Sequence, residues 1–341
     1  MAKSGEFVRD TTYIDGRITA DGSDGWPAEP GRYRLAVARG CPWANRTMIV
    51  RRLLGLDLAA DGSRDGDPVL SMGIAGPEHD WRSWTFDLDP GEVDPVLGIH
   101  FLREAYEKAV PGYEKGVTVP AIVDIPTGAV VTSDFRHITN DMEHEWTAYH
   151  RPGAPDLYPD KQRDEIEEIS ARVYEDLNNG VYKCGFASTQ EAYEEAYGKL
   201  FDRLDWLSER LATRRYLVGD TITEADVRLW PTRARFDAVY HGHFQCNRSK
   251  LSEMPVLWAY ARDLFQTPGF GDTIDFVQTK QHYYRVHTGL NPTQIVPLGP
   301  DPSGWLTRHG REELGARPFG DGTAPGPVRD GERVAAGHGA G

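Results

Sequence analysis

Apolar and polar positions follow two different rhythms along this chain. From residue 32, "RYRLAVAR" passes through alternation into an apolar run of strand length. "PWANRTMIVRRLLGL" follows at once, with Met48, Ile49, Leu53 and Leu54 at helical spacing, so the pattern predicts a strand, a tight turn and a helix. Residues 57–95 are dominated by Asp, Gly and Pro, with "DPVLSMGI" the one strand candidate, and read as an insertion longer than an ordinary connection. "GIHFLREAYEKA" is helical in pattern, and "VTVPAIVDIPTGAVVTSD" reads as two β-rich runs joined by turn residues. The first half is therefore β-α-β-α-β-β, a small mixed sheet with helices.

After the Pro-rich "HRPGAPDLYPD" the rhythm changes. Ile166, Ile169, Val173 and Leu177 recur at steps of three and four, the stripe of an amphipathic helix. "TQEAYEEAYGKLFDRLDWLSERLA" predicts a second, and helical patterning continues to about residue 287. The predicted organisation is an irregular arm over 1–31, an α/β unit over 32–150 carrying the 57–95 insertion, an all-helical unit over 155–300, and a tail over 301–341. The tail thins in apolar residues and ends in Gly, Ala, Pro and charge, so it is expected to wrap the surface and then become partly disordered.

Composition narrows the function. The 341 residues exceed the usual single core, in keeping with two domains plus appendages. A formal net charge of -14 speaks against nucleic acid as a partner, which calls for clustered Lys and Arg. No stretch approaches the ~20 apolar residues of a membrane span, and the polar start has no signal-peptide core. These features read as a cytoplasmic enzyme or binding protein. Cys41, Cys184 and Cys246 are too scattered for a disulfide framework or a paired metal site. His241, His243, His282 and His287 complete no ligand set either, so no metal is expected.

Cys41 differs from the other two cysteines. Pro is favoured at the first helical position, so Pro42 places Cys41 at the N-cap. Unpaired N–H groups and the helix dipole favour negative charge there, which is expected to lower the thiol pKa toward a nucleophilic thiolate. A dithiol redox site would carry a second cysteine three positions on, where Ala44 stands. A mixed disulfide on Cys41 would have to be released by a thiol from solution. Cys184 and Cys246 have no such helix start beside them and read as bystanders.

In order along the chain, the "CPWANR" helix, "SWTF", "VTVP", "NNGVYKCGFASTQEAY", "TITEADVRLW", "RFDAVYHGHFQCN", "QHYYRVH" and "NPTQIVPLGP" resemble the glutathionyl-hydroquinone reductases, the xi class of glutathione transferases. The resemblance spans about residues 30–300 and implies a thioredoxin-like N-terminal domain with a transferase-type helical C-terminal domain. It implies that Cys41 attacks the sulfur of a glutathionylated hydroquinone and that a second glutathione resolves the mixed disulfide. Tyr182 and Tyr283 match active-site tyrosines that donate to the quinol oxygen. Trp84 matches the tryptophan covering the thiol, although the family usually has Gly where Ser83 stands. Val119 is expected to pair its backbone with the cysteine part of the ligand, before a cis Pro120. A homodimer is implied as well. Thr223 and Asp226 form a capping-box pattern and carry stability, not chemistry.

The chain departs from the family pattern near the thiol. Asn45 replaces the usual His, and Gly116, after Lys115, stands where the family has Arg. The acidic residue that holds the γ-glutamyl end is followed by Ser in such transferases; here Asp134 is followed by Phe135. Lost hydrogen bonds to charged groups cost about 1.5–3 kcal/mol each. The cosubstrate is therefore glutathione or another low-molecular-weight thiol such as mycothiol, which some bacteria with GC-rich genomes use; the Ala, Gly, Arg and Asp-rich composition is what such a genome produces. A reading from another class is a protein that binds aromatic ligands without turnover.

Overall fold

The computed structural model describes residues 5–334. Two short strands in the arm, β1 (Ile18–Thr19) and β2 (Trp26–Pro27), pair in parallel. The core opens with β3 (Tyr33–Ala38), buried throughout, and the turn at Gly40 leads into α1 (Pro42–Leu54). β4 (Leu70–Ala75) pairs in parallel with β3 from Tyr33–Leu70 to Ala38–Ala75. The stretch 57–95 is thus not one insertion, because β4 is an edge strand of the main sheet. A two-residue hairpin of β5 (His79–Asp80) and β6 (Ser83–Trp84) follows, then α2 (Leu102–Ala109). β7 (Ala121–Asp124) runs antiparallel to β3, and β8 (Ala129–Thr132) antiparallel to β7. The sheet order β4-β3-β7-β8 is the mixed, thioredoxin-like arrangement that the β-α-β-α-β-β pattern predicts.

The helical half begins after α3 (Phe135–His144) with α4 (Arg163–Val173), whose Ile166, Ile169 and Val173 are buried as their spacing predicts. A π-helical turn over Tyr174–Asn178, closed by Asn179 N–H on Tyr174 C=O at 2.8 Å, leads into α5 (Gly180–Gly185). Then come α6 (Gln190–Leu211) and α7 (Glu224–Arg235). Thr223 and Asp226 form the expected capping box, and the Asp226 carboxylate also accepts from Leu217 N–H and the Tyr260 hydroxyl. A second π-helical turn, Phe236–Tyr240, extends α7, and α8 (Pro255–Gln266) and α9 (Phe276–Val286) complete the layer.

Every residue of α1 is buried, its polar ones included. The apolar face lies on the sheet, and the polar face is covered by the helical half and by the tail. Arg51 donates to Leu70 C=O and, bidentate, to Glu332; Arg52 pairs with Asp57 and Asp272. As far as residue 334 the tail lies on the molecule, with Trp305 packed against Trp230, Trp258 and Phe265. The segment expected to be disordered, at its extreme end, falls on 335–341, outside the described residues. No helix among the described residues is long and apolar enough to cross a membrane.

Candidate active site

Cys41 is the N-cap of α1, extended in backbone, with Pro42 in the first turn as its sequence predicts. The turn that carries it is clamped from the helical half. The buried Arg235 guanidinium donates to Arg39 C=O at 2.8 Å, Gly40 C=O at 3.1 Å and Asn45 Oδ1 at 3.1 Å. Asn45 in turn donates to Thr273 Oγ1 at 2.7 Å, so the residue replacing the family's His is a buried structural link. His282 packs on Gly40 so closely that a Cβ there would lie 2.6 Å from its own Cβ, which excludes any larger residue before Cys41.

The Cys41 thiol donates to Val119 C=O at 3.3 Å, and the Val119–Pro120 bond is cis. Trp84 stacks on His282 with ring centres 5.1 Å apart, which places it beside the Gly40–Cys41 turn. The tyrosines from α5 and α9 meet: Tyr182 and Tyr283 hydroxyls are 2.6 Å apart, and the Tyr240 hydroxyl is 2.8 Å from that of Tyr283. The second π-helical turn ends on Tyr240. Burial pushes all three phenols above their ordinary pKa, so they stay protonated. Three hydroxyls carry three protons, and two hydrogen bonds use two of them. One O–H remains to donate outside the cluster.

Electrostatics correct one expectation. Burial pushes the Cys41 thiol above its ordinary value, and it outweighs the N–H groups of Ala44 and Trp43 and the charges of Arg235 and Arg9, all of which pull it down. The helix terminus acts in the expected direction but does not prevail in a site where Cys41 is only 7 % exposed.

The two residues expected at the γ-glutamyl end diverge. Asp134 caps α3, and burial, which works to raise its carboxyl, is overcome by hydrogen bonds from Arg136, whose Nε lies 2.7 Å away. Phe135 turns inward onto Trp43 at 4.5 Å and meets Tyr13 edge-on. Lys115 and Gly116 are exposed. Cys184 and Cys246 are free and buried. Among the described residues no three His, Cys, Asp or Glu side chains gather as a metal-ligand set.

Sequence reasoning missed Tyr240, although "RFDAVYHGHFQCN" contains it. It also missed Arg235, His282 and the arm, whose Phe7 and Arg9 lie against Tyr182. No local pattern marks these residues, because their roles arise only where the two halves meet.

Comparison with known proteins agrees with this fold. Residues 190–263 match the model of the glutathione S-transferase C-terminal domain. The chain is 41% identical over 305 residues to the glutathionyl-hydroquinone reductase PcpF of Sphingobium chlorophenolicum, covering 88% of this chain and 91% of that protein. A glutathione transferase structure from Gordonia bronchialis superposes with a TM-score of 0.92 at 69% identity, covering 96% of this chain and 99% of the other. The glutathione-bound structure of YqjG from Escherichia coli K-12 gives 0.80 at 38% identity, covering 87% of this chain and 96% of the other. With the thioredoxin-like sheet, the helical half and these relatives together, the chain belongs to the glutathionyl-hydroquinone reductases, the xi class of glutathione transferases.

Proposed function

We propose that the protein reduces thiol conjugates of hydroquinones, with Cys41 as the nucleophile. The observation that carries this reading is a helix N-cap thiol bonded to the backbone carbonyl before a cis proline, with a tyrosine cluster that has one O–H to spare and whose Tyr182 lies near enough to feel the charge of Cys41. A ligand whose cysteine part engages the Val119 backbone takes away the acceptor of the Cys41 S–H. The thiolate is then favoured, held by the N–H groups of Trp43 and Ala44.

The thiolate attacks the conjugate's sulfur. An S–S bond forms, the carbon–sulfur bond breaks, and its electron pair remains on the ring carbon. A proton delivered through the Tyr182–Tyr283–Tyr240 cluster completes the free hydroquinone. A second thiol, as thiolate, attacks the mixed disulfide, and Cys41 leaves as thiolate with a low-molecular-weight disulfide as the other product. The relatives' names point to glutathione in both roles. The working unit is a homodimer, a reading that rests on the family resemblance.

One observation favours a second thiol. Phe135 fills the Ser position and packs on Trp43, while Asp134 is paired with Arg136, so the γ-glutamyl end has lost polar partners. Two contacts of about 1.5–3 kcal/mol correspond to at least ~100-fold in affinity. A thiol with a neutral acyl or sugar portion, such as mycothiol, lies better against a phenyl ring. Turnover of matched glutathionyl and mycothiolyl hydroquinones, with intact-mass detection of the Cys41 adduct, tests both readings. Cys41→Ser is expected to lose adduct and turnover while melting unchanged, since Ser also caps helices. Turnover retained in that variant removes Cys41 from the mechanism. A wild type that uses the glutathionyl conjugate at submillimolar KM, with no gain in a Phe135→Ser, Gly116→Arg double variant, rules out the change of thiol. Aromatic binding with neither adduct nor turnover would leave a carrier protein.

A further inference from the structure

The N-terminal arm crosses the site as a strap fastened at both ends. Gly5 C=O accepts from Ser188 N–H at 3.0 Å, just before α6. At the other end Ser133 N–H donates to Ile14 C=O at 2.7 Å, Asp15 bridges to Thr132, and Arg17 pairs with Asp141. Between these ties Phe7 and Arg9 lie against the Tyr182 ring, and Arg9 also over that of Trp43. The Arg9 guanidinium carbon is 4.8 Å from the centre of the Trp43 ring, 4.5 Å from Tyr182 and 5.5 Å from Phe7.

This cation is uncompensated. Its Nε donates to the neutral Asn179 Oδ1 at 3.0 Å, Nη2 is out of water with no partner, and among the described residues no carboxylate pairs with it. Of the neighbouring arginines, Arg46, also 4.8 Å from the Trp43 ring centre, gives its Nη2 to Arg228 C=O and among the described residues has no carboxylate either, whereas two others are fully paired. Arg136 is bound to Asp134, and Arg228 to Glu224 and Glu167. A guanidinium lying over ring faces keeps its N–H donors in its own plane, free for a planar or anionic oxygen. An unmet donor and an unpaired charge beside a nucleophile mark the place of a ligand's negative group.

We propose that Arg9 binds an anionic oxygen of the substrate next to the reacting sulfur. The inference rests on Cys41 being the reacting thiol, and it goes beyond that reading by making the strap part of the binding site. Two sources share the chemistry, the ionised phenol of the aromatic and a carboxylate of the thiol portion. The field of Arg9 also acts in the useful direction on its neighbours, since it lowers both the Cys41 thiol and the Tyr182 phenol against the effect of burial.

The test compares alkylation of Cys41 by iodoacetate, an anion, with alkylation by neutral iodoacetamide, located by peptide mapping to set Cys184 and Cys246 aside. A general loosening of the strap speeds or slows both reagents together; loss of an anion site changes their ratio. In Arg9→Met the iodoacetate-to-iodoacetamide ratio is expected to fall about tenfold, and Arg9→Lys to restore most of it. Inhibition of turnover by free hydroquinone against its dimethyl ether, and by free thiol against its carboxyl ester, then identifies the source, as the pair whose discrimination disappears in Arg9→Met. An unchanged alkylation ratio with Cys41 modified overturns the role of Arg9 and leaves the nucleophile standing. Cys41 left unmodified by both reagents in the wild type removes the nucleophile and this inference with it.

Discussion

Ser83 shows what one position can reveal. Its φ of 90° lies in the left-handed region, where the family usually has glycine, and it directs Trp84 onto His282 beside the Cys41 turn. A side chain held at positive φ costs roughly 1–2 kcal/mol, while glycine costs about 0.5–1 kcal/mol in chain entropy. Ser83→Gly is therefore expected to stabilise the protein by up to about 1 kcal/mol in urea unfolding. A net loss would mean that the Ser83 hydroxyl, which accepts from Trp84 N–H at 2.5 Å, outweighs the strain. At this scale the sequence is readable wherever the cause is local. Cys41 at an N-cap follows from Pro42 alone, whereas the family pattern was needed to find Trp84 and the cis proline. The ionisation of Cys41 was not readable. It depends on burial and on the charges of Arg235 and Arg9, which lie far away in the chain.

Elements were legible where one face meets one core. The stripe of α4 is the plain case, and α1 the opposite one, since its polar face is as buried as its apolar face and no periodicity signals that. The α9 helix carries a consequence of such hidden burial. His282 donates from Nδ1 to Pro77 C=O at 2.9 Å, and His287 lies 3.2 Å from His243, with His79 and Tyr283 packed alongside. Burial drives His282 down to about 3, His287 to about 3 and His243 to about 4. All three are neutral in the fold and bind protons more readily when unfolded. Their contribution is complete above the unfolded pKa of about 6.5 and is lost as pH falls toward the folded values. Taking His282 alone, acidification from about 6.5 to pH 5 costs roughly 2 kcal/mol. Urea unfolding at pH 7.5 and pH 5 is expected to show a gap that narrows by about that amount in His282→Asn, whose amide can still donate to Pro77. A gap of unchanged width would place the acid sensitivity elsewhere than His282.

The molecule as a whole departs most from its sequence in the tail. Gly, Pro and charge from residue 301 onward read as surface or disordered chain, yet Glu332 closes on Arg51 with two bonds of 2.8 Å. Composition cannot show this, because Arg51 reads as a solvated helix residue until the strand and tail around it are known. Its side chain is 1% exposed, so the pair is a buried one in which each charge depends on the other. The tail also reaches the Cys41 turn, since Arg39, two residues before Cys41, donates to Glu332 C=O. Two ways of losing Glu332 are therefore expected to differ. Glu332→Leu keeps the tail in place and leaves the Arg51 charge out of water, at a cost of about 3–5 kcal/mol. Deleting residues 325–341 also removes the carboxylate, but it opens Arg51 to solvent, which hydrates the guanidinium and spares much of that penalty. Urea unfolding of the two variants should thus rank the point substitution below the truncation in stability. If the truncation is the less stable, the tail acts chiefly by covering apolar surface, and the Arg51–Glu332 pair contributes little.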